Sequence, residues 1–101
     1  MAGAVINPGS QIGQSVIINT SASVDHECVI ADAAHICPGV HLAGRVQVGA
    51  ATHVGIGTTV IERINIGSGS FIGAGSVVVD DIPDGVVAYG VPARVIRKVS
   101  G

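Results

Sequence analysis

One histidine in the sequence stands between two carboxylates. His26 follows Asp25 and precedes Glu27. A carboxylate beside an imidazole holds the ring in one tautomer and makes it more basic, which suits a general base near neutral pH. The alternative is a solvated corner of the fold, in which Glu27 forms an ion pair with Arg45. The residue types alone leave both interpretations open.

The other residues of types that can bind metals or act as nucleophiles are spread along the chain. Gaps of nine, six and twelve positions separate the four histidines, which are His26, His35, His41 and His53. No close pair suggests a prebuilt zinc site, so we expect no metal. Cys28 and Cys37 are too few for a disulfide framework, and their positions favour packing over nucleophilic chemistry.

Composition excludes several functional classes. The 101 residues suffice for one small domain and carry a net charge of −2 with only 2% aromatic residues. Such a chain offers neither the basic field nor the stacking rings that nucleic acid binding uses. No apolar run approaches the roughly 20 residues of a membrane-spanning helix, and the first residues show no secretory signal. We therefore expect a cytoplasmic protein that neither binds nucleic acid nor spans a membrane.

A six-residue repeat defines the elements that must position these side chains. Every sixth residue from Ile6 to Val78 is Ile, Leu or Val, at thirteen successive positions. This period fits neither a helix nor a plain strand. It fits short strands joined by corners, each turning one aliphatic side chain inward and stacking on the next coil. The sequence therefore predicts an all-β fold, a parallel β-helix of hexapeptide repeats.

The length of the repeat sets the domain organisation. With three strands to a coil, each coil takes about 18 residues, and residues 6–83 make about four coils. Pro83 and Pro92 then interrupt the pattern. We divide the chain into a β-helix over 1–83 and a C-terminal strand and tail over 84–101. The low charge, 12% against 48% hydrophobic residues, leaves too little polar surface for a monomer and predicts self-association.

Stacking turns the repeat into a map of the surface. Positions one coil apart in the sequence lie in the same column of neighbouring coils, about 4.8 Å from each other. His35 and His53 therefore stack, and two adjacent imidazoles resist joint protonation. Ile56 and Ala74 are vertical neighbours on another track.

Residues 18–46 carry a specific resemblance. They read INTSASVDHECVIADAAHICPGVHLAGRV. This stretch resembles the catalytic core of hexapeptide-repeat acetyltransferases that act on nucleotide-linked amino sugars, and of sialic acid O-acetyltransferases. The shared signature is N-T-x-A-x-V-D/E-H-E/D-C, then a histidine nine positions after the first, then P-G and L-A-G. In this chain it comprises Asn19, Thr20, Ala22, Val24, Asp25, His26, Glu27, Cys28, His35, Pro38, Gly39, Leu42, Ala43 and Gly44.

The resemblance implies a fold and a set of roles. The β-helix would be left-handed, and the protein would be a homotrimer that binds acetyl-CoA between adjacent β-helices. His26 would be the general base, with Glu27 raising its basicity. His35 would contact acetyl-CoA near the reacting group, and the backbone at Ile56 and Ala74 would line the pantetheine channel. The acceptor would be a small molecule, an amino sugar or a sugar alcohol.

One departure from the family concerns the acceptor. Those acetyltransferases carry an N-terminal nucleotide-binding domain, and the residues ahead of the repeat in this sequence show no strand, glycine-rich turn and helix of that kind. We expect the donor half and the base to be present without the element that selects a sugar nucleotide. The leading hypothesis is N-acetylation of a nucleotide-linked amino sugar. The alternatives are O-acetylation of a sugar such as sialic acid, and a non-catalytic trimeric β-helix scaffold. The basic residues Arg94, Arg97 and Lys98 would either meet CoA phosphates or form a solvated end.

Overall fold

The computed structural model describes residues 5–7 and 9–99, and these residues form strands and turns without a helix. Within these described residues, thirteen strands of two residues recur every six positions, and two longer strands follow. They are β1 Val5–Ile6, β2 Gln11–Ile12, β3 Ile17–Ile18, β4 Ser23–Val24, β5 Val29–Ile30, β6 His35–Ile36, β7 His41–Leu42, β8 Gln47–Val48, β9 His53–Val54, β10 Thr59–Val60, β11 Asn65–Ile66, β12 Phe71–Ile72, β13 Val77–Val78, β14 Val86–Gly90 and β15 Ala93–Lys98.

The short strands stack into three parallel sheets. The first sheet has the order β1-β4-β7-β10-β13, and the second has β2-β5-β8-β11. The third runs β3-β6-β9-β12 and continues into β14 and β15. Paired residues of the short strands lie one coil apart in the sequence, as His35 and His53 do across β6 and β9. The chain is therefore a parallel β-solenoid of about four turns, as the repeat predicted.

The C-terminal segment extends the third sheet. β14 pairs in parallel with β12, placing Val87 beside Phe71. β15 then turns back and pairs antiparallel with β14, with Arg97 beside Val87. One strand was expected in this segment and is present as β14, whereas β15 lies where only a tail was expected.

The aliphatic column fills the interior. From Ile18 to Val78, each residue of the six-residue column is at most 3% exposed. At the start of the described chain, Ile6 and Ile12 are 45% and 38% exposed. Four buried hydroxyls at the smaller inward positions donate to backbone carbonyls, which removes the cost of burying them. These residues are Thr52, Thr58, Ser70 and Ser76.

The corners differ in side-chain cover. Between the third and first sheets, Gly39, Gly57 and Gly75 occupy the left-handed region with φ of 72°, 70° and 71°. A side chain is disfavoured there, so glycine meets the backbone requirement at little cost. We call the strip of backbone that carries these three residues the glycine edge. It runs parallel to the solenoid axis and has no side chains at these positions.

Candidate active site

His26 lies in the turn between β4 and β5, at the corner of the first and second sheets, and its side chain is 54% exposed. Its Nδ1 is 3.0 Å from Asp25 Oδ1. The same oxygen accepts a hydrogen bond from the backbone N of His26 at 2.7 Å. These bonds lower the pKa of Asp25, so the carboxylate stays charged. An Nδ1–H that donates to Asp25 leaves the Nε2 lone pair free to accept a proton.

Gly44 supports the ring of His26 from the next coil. It is buried, and a Cβ at this position would lie 2.9 Å from His26 Cε1 and 3.2 Å from Nε2. Real Cβ atoms do not make contacts as short as the first of these. The imidazole therefore packs onto bare backbone, and a side chain at this position would displace the ring. We call Asp25, His26 and Gly44 the base corner.

Glu27 has a different partner from the one the family resemblance implied. Its Oε1 lies 3.4 Å from Arg45 Nη2, and both side chains are about half exposed. The carboxylate that contacts a ring nitrogen of His26 is that of Asp25. The ion pair of the solvated-corner interpretation is therefore present, while a carboxylate also lies on the histidine.

His35 lies on the outer face of the third sheet, within a stack of rings. Its Nε2 is 2.9 Å from Asn19 Nδ2. Its ring lies 4.9 Å from that of His53 in an edge-to-face arrangement, as the predicted stacking of these residues required. His53 in turn stacks on Phe71, with ring centroids 4.6 Å apart and ring planes 1° apart. Burial, and secondly the neighbouring His35, lower the pKa of His53 and keep it neutral.

Ile56 and Ala74 lie beside the glycine edge, one coil apart as predicted. Gly75 donates its N–H to the carbonyl of Ile56 at 2.7 Å. Ile56 is 61% exposed, and Ala74 is exposed as well. A Cβ built on Gly57 or Gly75 would meet open space. The edge therefore presents accessible backbone beside a large apolar side chain, a surface suited to an extended, partly apolar ligand.

Within one chain, the predicted site residues form two groups that lie on opposite sides of the solenoid. His26 belongs to the corner between the first and second sheets, and His35 belongs to the third sheet. In a three-sided solenoid, that corner lies opposite that face. Ile56 and Ala74 share the glycine edge, which borders the third sheet. The geometry thus brings His35, Ile56 and Ala74 to one side of the molecule and places His26 and Glu27 across it.

A group not foreseen from the sequence adjoins His35. Cys37 Sγ lies 3.3 Å from His53 Nε2. One ligand atom each from His35, Cys37 and His53 lies within 4.8 Å of the others. We expected no metal because no histidines are close in the sequence, whereas strand pairing brings these three residues together.

Comparison with solved structures shows which proteins share these features. Against a histidine-to-asparagine variant of perosamine N-acetyltransferase from Caulobacter crescentus, in complex with CoA and GDP-perosamine, identity is 36% and the TM-score 0.81, covering 94% of this chain and 54% of that one. Against the acetyltransferase domain of PglB from Neisseria gonorrhoeae, in complex with acetyl coenzyme A, identity is 35% and the TM-score 0.86, covering 94% and 55%. Against serine acetyltransferase from Neisseria gonorrhoeae, identity is 30% and the TM-score 0.89, covering 96% and 42%. No protein-family model matches the chain.

The fold and these likenesses define the class of the protein. The chain has the β-solenoid fold of the hexapeptide-repeat acetyltransferases, and the perosamine N-acetyltransferase and PglB structures contain CoA and acetyl-CoA, respectively. Two of the structures that it resembles are a perosamine N-acetyltransferase, in complex with GDP-perosamine, and the acetyltransferase domain of PglB. The chain spans about half the length of these relatives. Its described residues contain no helix that is long and apolar enough to cross a membrane.

Proposed function

We propose that this chain is the acetyl-transfer part of an acetyl-CoA-dependent acetyltransferase that N-acetylates a nucleotide-linked amino sugar. One observation carries the proposal, the 3.0 Å contact between Asp25 and Nδ1 of an exposed histidine that packs on Gly44. Packing alone does not require a histidine on an exposed corner, whereas proton transfer requires a fixed ring with an accessible nitrogen.

His26 carries out the proton transfer. As the acceptor amine attacks the carbonyl of the acetyl thioester, it loses a proton to His26 Nε2, and the C–S bond breaks. The sulfur of CoA leaves as a thiolate and takes that proton from the imidazolium. Asp25, charged throughout, stabilises the imidazolium and holds Nδ1–H in place. In this mechanism Asp25 positions the base and has the role that the family resemblance gave to Glu27.

The donor half of the reaction falls to the opposite side of the chain. His35 contacts the acetyl end of acetyl-CoA, and the backbone beside Ile56 and Ala74 lines the pantetheine arm. The hydrogen-bonding groups of an extended pantetheine need close approach to backbone, which the glycine edge permits. Farther along the third sheet, Phe71, Val87, Arg97 and Val99 line a cavity of about 280 Å³. Arg97, one of the basic residues of the C-terminal segment, lines this cavity, and we propose that it meets a phosphate of CoA.

A complete site requires two copies of the chain. Because the base corner and His35 lie on opposite sides of one solenoid, His26 reaches the acetyl group bound to His35 only across an interface between subunits. A closed ring with head-to-tail contacts makes one such site per interface. The homotrimer implied by the family resemblance meets this requirement. The self-association expected from the low charge of the chain would bring subunits together in the same way.

Mixed oligomers test the proposal. His26→Ala and His35→Ala are each expected to abolish acetyl transfer. The molar mass of the oligomer and the melting temperature should stay near those of the wild type. Subunits of the two variants, unfolded and refolded together in equal amounts, should regain about one quarter of wild-type activity, since one interface in four pairs an intact His26 with an intact His35. Inactive mixtures would contradict the composite site. A large loss of stability in His26→Ala would make this residue structural.

The acceptor is tested separately. The perosamine N-acetyltransferase relative was crystallised with GDP-perosamine, which supports an amine on a nucleotide sugar. The protein should release CoA only when such an amine is present. The acetylated acceptor should be an amide, which resists hydroxylamine. A hydroxylamine-labile product would indicate an ester and favour O-acetylation. Failure of the folded protein to bind acetyl-CoA in a calorimetric titration would favour the scaffold.

A further inference from the structure

We infer that His35, Cys37 and His53 form a binding site for a thiophilic divalent metal ion, of which Zn²⁺ is the natural probe. This site lies apart from the base corner but shares His35 with the donor half of the function proposed above. Metal binding is measured without acetyl-CoA, so its failure and the failure of the proposed function are distinguishable.

The sheet supplies the geometry. Residues two apart in extended chain point to the same face, so His35 and Cys37 project together from β6 and the residue that follows it. His53 is the partner of His35 on the neighbouring strand. Around tetrahedral Zn²⁺, with bonds of about 2.0–2.3 Å, ligand atoms lie roughly 3.3–3.7 Å apart. Cys37 Sγ and His53 Nε2 already lie 3.3 Å apart. The widest separation in the group, within 4.8 Å, must shorten to this range when the metal binds.

The surroundings hold the ligands in place. Asn19 contacts Nε2 of His35 and restrains that ring, as partners of metal-bound histidines do. Phe71 stacks flat on His53, fixes its plane and shields the group from one side. Cys37 is 5% exposed, and both histidines are half-buried. Few degrees of freedom remain to be lost on binding, which favours affinity.

The donor set selects the metal. Two imidazoles and one thiolate suit zinc and other borderline or soft ions rather than magnesium or calcium, which prefer oxygen ligands. Three protein ligands leave the fourth tetrahedral position open for water or another exchangeable ligand. The thiol proton of Cys37 is released to solvent when the Sγ–metal bond forms.

Calorimetric titration of reduced, metal-free protein with Zn²⁺, without acetyl-CoA, tests the inference. We expect one ion per chain, and an affinity at least about 100-fold lower in Cys37→Ser and in His53→Gln. Co²⁺ should add a thiolate charge-transfer absorption that Cys37→Ser abolishes. The matched controls are Cys28→Ser, the other buried thiol, and His41→Gln, a histidine of another sheet. Both should bind like wild type. Absence of saturable binding, or binding that Cys37→Ser leaves unchanged, would overturn the inference.

Discussion

The imidazole of His26 rests on the Cα of Gly44, one coil further along the chain, so closely that a methyl group there would lie 2.9 Å from the ring. Gly44 is not among the residues with positive φ, so its backbone accommodates a side chain without strain. The need for glycine at this position comes from the histidine above it. This contact makes Gly44 a sensitive probe of the base corner.

Replacing Gly44 should therefore impair the reaction more than the fold. In Gly44→Ala the ring of His26 must move, and we expect kcat to fall about 10–100-fold, within the range that general-base catalysis contributes. The KM for acetyl-CoA should stay near wild type because the donor side is untouched. Steady-state kinetics and thermal melts measure both effects. A rise in the KM for acetyl-CoA with kcat unchanged would contradict the placement of Gly44 under the base.

The two carboxylates that flank His26 can be separated by isosteric substitutions. Asp25→Asn keeps an oxygen for the backbone N–H of His26 but removes the charge, and we expect kcat to fall about 10–100-fold. Glu27→Gln removes an exposed pair with Arg45, worth about 0–1 kcal/mol, and should change kcat less than threefold. If Glu27→Gln proves the more damaging, Asp25 is not the residue that positions the base.

The inward register of the repeat is tested by paired charge insertions. Val54 is 0% exposed, whereas Gln47 is exposed at the outward position of its strand. Burying an unpaired carboxylate costs several kcal/mol, against a total stability of about 5–15 kcal/mol for a domain. Val54→Asp should therefore unfold the chain, and Ile36→Asp should do the same. Gln47→Asp should shift the melting temperature by only a few degrees. A folded Val54→Asp protein would show that the assigned register is wrong.

Stability should decline at alkaline pH because of the buried thiol of Cys28. Burial raises the pKa of Cys28 above its ordinary value of 9.0, so the folded chain keeps a proton that the unfolded chain releases. Stability then falls as pH rises above 9.0, by at most about 1.4 kcal/mol per pH unit for each such thiol. Denaturant melts on both sides of that pH measure this slope. It should be shallower in Cys28→Ser, whose hydroxyl matches the buried serines at other smaller inward positions, Ser70 and Ser76. An equal slope in that variant would assign the effect to other groups.

Much of the fold was predictable because one rule governs it. The six-residue column predicted the strands, the interior and the stacking of His35 on His53, all by a shift of one coil. β15 was missed because it obeys no repeat; it forms by antiparallel pairing with β14. The partner of His26 was assigned from a resemblance, while the local turn geometry that turns Asp25 toward Nδ1 depends on side-chain rotamers. Cys37 was missed because it meets His53 diagonally rather than at the position directly across the sheet.

Among the short strands β1–β13, paired residues always lie one coil apart in the sequence, and this regular spacing has a kinetic consequence. Each of these coils closes a loop of the same length, so adding one incurs the same chain entropy wherever growth begins. Folding of this chain therefore proceeds coil by coil, because one closed coil provides the template for the next. Unfolding starts at the ends, where a coil has only one neighbour. Amide protons of the middle coils should therefore exchange last. A coil duplicated in the middle should lengthen the solenoid without altering its cross-section.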